Sequence, residues 1–394
     1  MAKGLSMSLT TGESTMPLSQ LDLKLLHLIE LKPMVSIKEL AERTGVSWVT
    51  ANRHLQQLRK DRVLSDPIAV FDPDALGLER HIVVLQTDSE GCLEGLEKAC
   101  DIHPYTHYRS RIYGPMTGLF IQFDVPPEGG HNLHLFLEGL HDLGLCKISG
   151  MFRSSGIRTT TVTDLRHFDP ETMSWRYDWD AWASDIQHAS SELKRVKRPN
   201  RGTRLAFTTV DLAILRELTA NASIGQAVLQ EKFNLSQSTV SRKVLFLMQN
   251  FVDSVRAQID RSRFDVTSTK MFLSTDSGES ARNRIYNAFS LSTAPPFPIA
   301  IDLIEESGVV LWGRMPPSHE HKFFYTLWRY LPDIQVFTMD TVRNHSQLYW
   351  FYPENYDVNI QRWKYDREWM VDTPLRVLQE ALQRKSGGHR QSRA

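Results

Sequence analysis

No stretch of this 394-residue chain approaches the roughly 20 consecutive apolar residues that cross a bilayer. Its beginning has no apolar segment of the kind that directs secretion, so the expectation is a cytoplasmic protein with no membrane partner. Cysteine is scarce. Cys92, Cys100 and Cys146 lie far apart and match no zinc spacing, which suits a reducing compartment and a role as small buried apolar residues. Neither sign of charge is in excess: 46 Lys and Arg balance 46 Asp and Glu, and any grip on nucleic acid must come from local patches. A Gly-rich phosphate loop, a metalloprotease helix and a nucleophile elbow are all missing. On that ground the chain is expected not to be an enzyme, with no cofactor and no metal.

What is present is a repeat. Leu21 to Leu58 and Val210 to Leu247 carry the same pattern at a constant offset of 189, pairing Asp22 with Asp211, Leu26 with Leu215, Leu40 with Leu229, Ser47 with Ser236 and Arg53 with Arg242. In the first copy Leu23, Leu26, His27 and Leu31 recur at helical spacing until Pro33 interrupts. Ser36 with Glu39 reads as a capping box, Ile37, Leu40 and Ala41 point inward, and Gly45 supplies the left-handed turn. Ser47 caps a further helix whose buried line is Ala51, Leu55 and Leu58. This is a helix-turn-helix, and its last helix leaves Trp48, Val49, Asn52, Arg53 and Gln56 facing outward, where early-turn residues reach base edges in a major groove. The second copy offers Gln237, Ser238, Ser241, Arg242 and Lys243, so the two half-sites read would differ. Phosphate contacts are assigned to Arg59, Lys60 and Lys243. The basic run Lys194, Arg195, Lys197, Arg198, Arg201 and Arg204 is either a solvated linker or a phosphate-contacting arm.

Each copy continues into a second pattern. After the wing-like Ile68 to Phe71, strands are expected at His81 to Gln86, Thr106 to Tyr113, Leu119 to Val125 and Lys147 to Phe152, with helices at Leu93 to Cys100 and His131 to Leu143. This βαββαβ order packs two helices on one face of an antiparallel sheet, the ferredoxin-like plan. In the second copy strands fall at Lys270 to Ser274, Pro298 to Leu303 and Val309 to Arg314, and Pro316-Pro317 echoes Pro126-Pro127. The fold class is α+β.

A winged helix, the wing-end sequence FDPDALGL at Phe71 to Leu78 and a βαββαβ domain together resemble the Lrp/AsnC family of transcription regulators, here as two fused units. The resemblance covers residues 20 to 155 well and 208 to 352 more loosely. It implies winged helices that grip double-stranded DNA, sensor domains that pair through their sheets, and a small-molecule effector. In that family a Gly-Asp pair marks the effector pocket. Gly114 occupies the glycine place, making it the effector-binding candidate, but Pro115 replaces the acid and Glu306-Ser307-Gly308 does not restore it. Where family members dimerise, this chain would form an internal pseudo-dimer, with a homo-oligomer as a further partner state.

The division expected is a disordered tail at 1–17, winged helix-turn-helix 1 at 18–80, ferredoxin-like domain 1 with an aromatic extension at 81–183, and a basic linker at 184–204. Winged helix-turn-helix 2 follows at 205–267, ferredoxin-like domain 2 with its aromatic extension at 268–385 and a tail at 386–394. The extensions are Trp175, Tyr177, Trp179 and Trp182 in one half and Trp363, Tyr365 and Trp369 in the other. Acids Asp178, Asp180 and Asp185 argue against base stacking, so these aromatics are read as a packing or partner surface linking the two halves, one that covers an exposed sheet edge or face. His131, His134 and His141 share a helix flank and are read as a solvated face, with His319 and His321 in a loop. The function expected is sequence-specific DNA-binding transcription regulation. The alternatives are a siroheme-decarboxylase-like tetrapyrrole enzyme, whose winged-helix and ferredoxin-like plan the segment Ile68 to Gly77 also resembles, and a scaffold that binds protein only.

Overall fold

Ser19 and Thr208 open the two helix-turn-helix copies with reciprocal caps: each hydroxyl accepts from the third helical amide, and Asp22 or Asp211 bonds back to the cap amide. The computed structural model describes residues 18–193 and 206–391 except 306, 343, 350 and 351. The expected tail at 1–17 and the basic run from Lys194 to Arg204 lie outside the described residues.

In the first copy α1 (Gln20–Leu31), α2 (Ile37–Thr44) and α3 (Trp48–Lys60) are followed by strand β1 (Leu64–Phe71). Gly45 is left-handed at φ +71°, and Ala51, Leu55 and Leu58 form the buried line of α3. Two local expectations need correction. Ser36 caps α2, but Glu39 does not close the box, because its carboxylate is taken by Lys32 Nζ at 2.6 Å. Leu31 is 52% exposed, whereas Leu25, Leu28 and Ile29 are buried, since α1 packs on two sides rather than along one stripe.

Unit 1 continues with β2 (Glu79–Gln86), α4 (Glu90–Ile102), β3 (Thr106–Tyr113), β4 (Gly118–Val125), α5 (Gly130–Asp142) and β5 (Lys147–Thr160). Its extension holds the short hairpin β6 (Phe168–Asp169) with β7 (Ser174–Trp175), then α6 (Trp179–His188). Because α6 runs through position 184, the expected linker starts inside a helix. Unit 2 repeats the order with α7 (Thr209–Ala220), α8 (Gln226–Phe233), α9 (Gln237–Asn250), β8 (Val252–Ile259), β9 (Ser268–Ser274), α10 (Glu279–Ala288), β10 (Ile299–Ile304), β11 (Val309–Met315), α11 (Pro317–Trp328) and β12 (Gln335–Met339). It ends with β13 (Ser346–Leu348), the hairpin β14 (Tyr356–Asp357) with β15 (Arg362–Trp363), and α12 (Thr373–Gln391), which runs into the stretch expected to be a loose tail. His319 and His321 lie in the first turns of α11, not in a loop; His319 is buried and accepts the Trp179 indole N–H at 2.9 Å.

The two sheets close on each other. Round the ring the order is β12-β9-β11-β10-β5-β2-β4-β3, and β3 pairs with β12 to complete it, leaving β13 beside β12 on β3. The order of unit 2 followed by the order of unit 1 relates the halves by a half-turn about the barrel axis. Strand β5 is the seam, pairing with β2 through Lys147–Arg153 and with β10 through Ser154–Thr160. Closure removes unpaired sheet edges and buries what each sheet alone would leave bare: Ile82, Val84, Phe120, Met271, Leu273, Val310 and Phe337 meet inside. The other face of each sheet carries its own helices. The wings are not separate hairpins, as β1 pairs antiparallel with β8 and one ribbon ties the two helix-turn-helix copies together.

The aromatic extensions cross over. Helix α6 packs on α10 and α11 of unit 2, and α12 packs on α4 and α5 of unit 1. They link the two halves and cover helical layers, not the sheet edge or face expected from sequence, because barrel closure leaves little edge to cover and each sheet's outer face carries its own helices. No helix among the described residues is long and apolar enough to cross a membrane.

Candidate functional site

The N-caps of α3 and α9 are Ser47 and Ser236, each accepting from the amide three residues on, so both helices start at the same place in the repeat. Burial of Ala51, Leu55 and Leu58 on one side of α3, and of Val240 and Leu247 in α9, turns the opposite sides outward. On α3 Trp48 is 52% and Val49 70% exposed; Arg53, Gln56, Arg59 and Lys60 are exposed and Asn52 is half-buried. On α9 Gln237, Ser238, Ser241 and Arg242 are exposed. Arg53, Arg59, Lys60 and Arg242 have no ion pair among the described residues, so their charge is available to a partner.

Lys243 differs. Its Nζ lies 2.6 Å from Asp211 Oδ1 and 3.4 Å from Thr208 Oγ1, which turns it back onto the cap of α7 and away from any phosphate. The repeat explains this, since His54 occupies the same place in α3 and its Nδ1 lies 2.8 Å from Asp22. Burial tends to raise the Asp211 pKa, but hydrogen bonds from Lys243 and Thr208 outweigh it and hold the carboxyl below its usual range.

Gly114 follows β3 at φ +150°, and a Cβ there would stand 2.8 Å from the Val336 carbonyl oxygen. It therefore sits in a close backbone approach between the two units. His131, His134 and His141 are exposed, with His134 beside Glu138 and His141 against the Cys146 carbonyl. Among the described residues no group of three or more His, Cys, Asp or Glu is placed to hold a metal ion.

A second constellation, which the sequence reading missed, lies at the end of the barrel beneath the β1–β8 ribbon. Arg80 on β2 is buried and makes a two-pronged pair with its cross-strand neighbour Asp124, at 2.7 and 2.8 Å. His107 Nδ1 lies 3.2 Å from the same carboxylate. Burial drives the His107 pKa down to about 3, so this imidazole is neutral. Burial also pushes Asp124 upward, yet the charge and paired hydrogen bonds of Arg80 more than offset it, holding the carboxyl below its usual range. Arg158 reaches Asp72 and Asp74 at the end of β1, and Arg256 on β8 donates to Thr160 Oγ1 at 3.1 Å. His107 and Asp124 also line a small pocket of about 30 Å³ with Tyr105, Tyr349, Tyr352 and Trp363. The signal for this cluster was present in the alternation of β2 and β4, but only the pairing of β1 with β8 and of β5 with β10 shows that these residues share one space.

Comparison with known proteins adds the following. The sequence family described as winged helix-turn-helix DNA-binding matches residues 18–64 and 207–250, so both copies carry that domain. No curated protein matches the sequence. Among solved structures, the siroheme decarboxylase NirDL is similar at 12% identity over 92% of this chain and 99% of its own, with a TM-score of 0.47. The same enzyme bound to an iron-uroporphyrin III analogue is similar at 13% identity over 84% of this chain and 94% of its own, at 0.44. An AsnC family transcriptional regulator from Agrobacterium tumefaciens is similar at 19% identity over 35% of this chain and 88% of its own, at 0.28. One expectation is corrected here. Missing catalytic motifs do not make this chain a non-enzyme, because two of the similar solved structures, spanning 92% and 84% of it, are of an enzyme.

Proposed function

We propose that this chain is a sequence-specific double-stranded DNA-binding transcription regulator of the Lrp/AsnC type, acting as an internal pseudo-dimer. One observation carries the reading: Arg53 and Arg242 stand at repeat-equivalent positions, exposed and without an acidic partner among the described residues, on helices tied into one body by the β1–β8 ribbon. The reading helices differ in sequence, so the operator is asymmetric, with one half read by Trp48, Asn52 and Arg53 and the other by Gln237, Ser241 and Arg242. Arg59 and Lys60 hold phosphate. The test is mapping of genomic DNA recovered with the full chain, followed by anisotropy titration of an enriched fragment over a range of salt. Enrichment at promoters and affinity that falls steeply with salt support the reading. DNA retention that is absent or indifferent to salt rejects it and leaves the protein-binding scaffold.

A second reading, a siroheme-decarboxylase-like tetrapyrrole enzyme, is favoured by a different observation. Arg80, Arg158 and Arg256 gather around the neutral His107 beneath the ribbon, and a macrocycle fringed with carboxylates needs cationic and imidazole groups. Incubation with siroheme tests it. A stoichiometric tetrapyrrole absorption band with carbon dioxide release supports it, and an unchanged spectrum removes it.

A further inference from the structure

The end of the barrel beneath the ribbon is not symmetric, and the asymmetry leaves a cation in no ion pair among the described residues, with Asp260 as the acid in whose field it lies. Counting from the echo of Pro126-Pro127 in Pro316-Pro317, Asp124 corresponds to Arg314, and counting along β2 and β9, Arg80 corresponds to Thr269. Each pair is a cross-strand neighbour: Arg80 faces Asp124, and Arg314 faces Thr269. On the unit 1 wall charge is therefore neutralised in place. On the unit 2 wall the acid is replaced by an arginine and the basic partner by a threonine. The Arg314 side chain makes no hydrogen bond or ion pair among the described residues, and burial holds its pKa below the usual guanidinium value.

We propose that this end of the barrel is a binding site for a small organic carboxylate with an apolar body, and that Arg314 receives the carboxylate. Strand alternation turns Tyr108, Gln122, Thr269, Ala300, Trp312 and Arg314 inward, on the same side as Phe120, Met271 and Ile304 of the sealed interior. Phe120 and Met271, two residues deeper on their strands, are fully buried, whereas Tyr108, Thr269, Ala300, Trp312 and Arg314 keep solvent exposure although they face into a closed ring. That combination describes a space open at the ribbon end.

Two further polar atoms face this space unsatisfied. Gln122 is only 3% exposed and its Nε2 has no partner, and Thr269 Oγ1 is likewise buried and unpaired. The guanidinium with Thr269 beside it, and Gln122 on the unit 1 wall, offer donors for the two oxygens of a carboxylate, and the Phe120–Trp312 contact, at 5.9 Å between ring centroids, provides an apolar floor. Asp302, the acid on the neighbouring strand, accepts from Ser154 at 2.5 Å and sits in the field of Arg158 and Arg80, which offsets its repulsion of an anion. The inference stands apart from both readings above: it concerns a small ligand held between Arg314 of unit 2 and Gln122 of unit 1, and needs neither DNA nor a macrocycle.

Isothermal titration of the full chain with 1-naphthoate, and separately with the neutral 1-naphthalenemethanol, tests it without DNA present. One saturable site for naphthoate is expected, with Arg314→Met weakening it about tenfold or more, Arg314→Lys less, and Gln122→Leu also weakening it. The neutral alcohol should bind worse than naphthoate. No saturable naphthoate binding, equal binding of the alcohol, or unchanged affinity in a folded Arg314→Met overturns the proposal. Should Arg314→Met fail to fold, Arg314→Lys and Gln122→Leu retaining full affinity overturn it equally.

Discussion

The indole N–H of Trp363 donates to the backbone carbonyl of Leu76 at 2.8 Å, although the two residues belong to opposite units of the chain. Trp175 makes the repeat-equivalent bond to Phe264 at 2.6 Å. Each unit's aromatic extension thus terminates on the other unit, next to the end of that unit's wing. The exchange makes the halves mutually dependent, since neither ferredoxin-like helix layer is covered by its own extension.

Replacing Trp363 or Trp175 with Phe keeps most of the ring but leaves a buried carbonyl unsatisfied. Each change should cost about 1–3 kcal/mol, and the Ala versions about 3–5 kcal/mol. Urea denaturation followed by far-UV circular dichroism measures this. A variant with one half unfolded and the other intact would contradict the mutual dependence.

Lys243 and Arg242 are neighbours with opposite assignments. Lys243→Ala breaks the bridge to Asp211 and should lower stability by about 1 kcal/mol while leaving operator selectivity alone. Arg242→Ala should leave the melting temperature unchanged and cost about 1–3 kcal/mol of discrimination at its half-site. Combined with Arg53→Ala, it should abolish selective binding. Melting curves and competition titrations read the two effects separately.

Asp302 is fully buried, and burial raises its pKa to about 6, with Ser154 and Arg158 only partly opposing this. A carboxyl raised above its unfolded value favours the folded state only while protonated, so stability should fall as pH climbs from about 4 through about 6 and then level off. Asp302→Asn should be more stable than the parent near pH 7.5 by up to roughly 3 kcal/mol, and the gap should close below pH 4. Denaturant midpoints at the two pH values check the sign.

Gly114→Ala should destabilise, because φ of +150° is unfavourable for a side chain and the new Cβ would press on the Val336 carbonyl. A loss on the order of 1–3 kcal/mol is expected. If instead stability held and only ligand affinity changed, Gly114 would belong to an effector pocket after all.

Much of the local structure was legible. Helix starts at Ser47 and Ser236, the turn at Gly45, the buried line Ala51, Leu55 and Leu58, and the strand at Thr106 to Tyr113 are written in caps and periodicity that act within a few residues. The readings that failed involve a partner outside the element in which the residue lies. Leu31 was assigned inward and is exposed, because α1 is gripped from two sides; Glu39 was assigned to a capping box and was taken by Lys32. The sequence around His319 reads as a loop, yet the residue lies in α11, where the Trp179 indole reaches it from the other unit.

By itself the sequence determined that there are two copies of one unit, which helices open them, and which residues of α3 and α9 face away from the core. Tertiary structure alone decided that the sheets close into one barrel, that the extensions are exchanged, that Lys243 turns inward and that Arg314, standing where unit 1 has Asp124, faces Thr269 and no charged partner. Periodicity records which side of an element is apolar, but it does not record which distant element covers that side. Burial, pairing and leftover charge are fixed only when strands distant in the chain, such as β5 with β10 and β3 with β12, lie side by side.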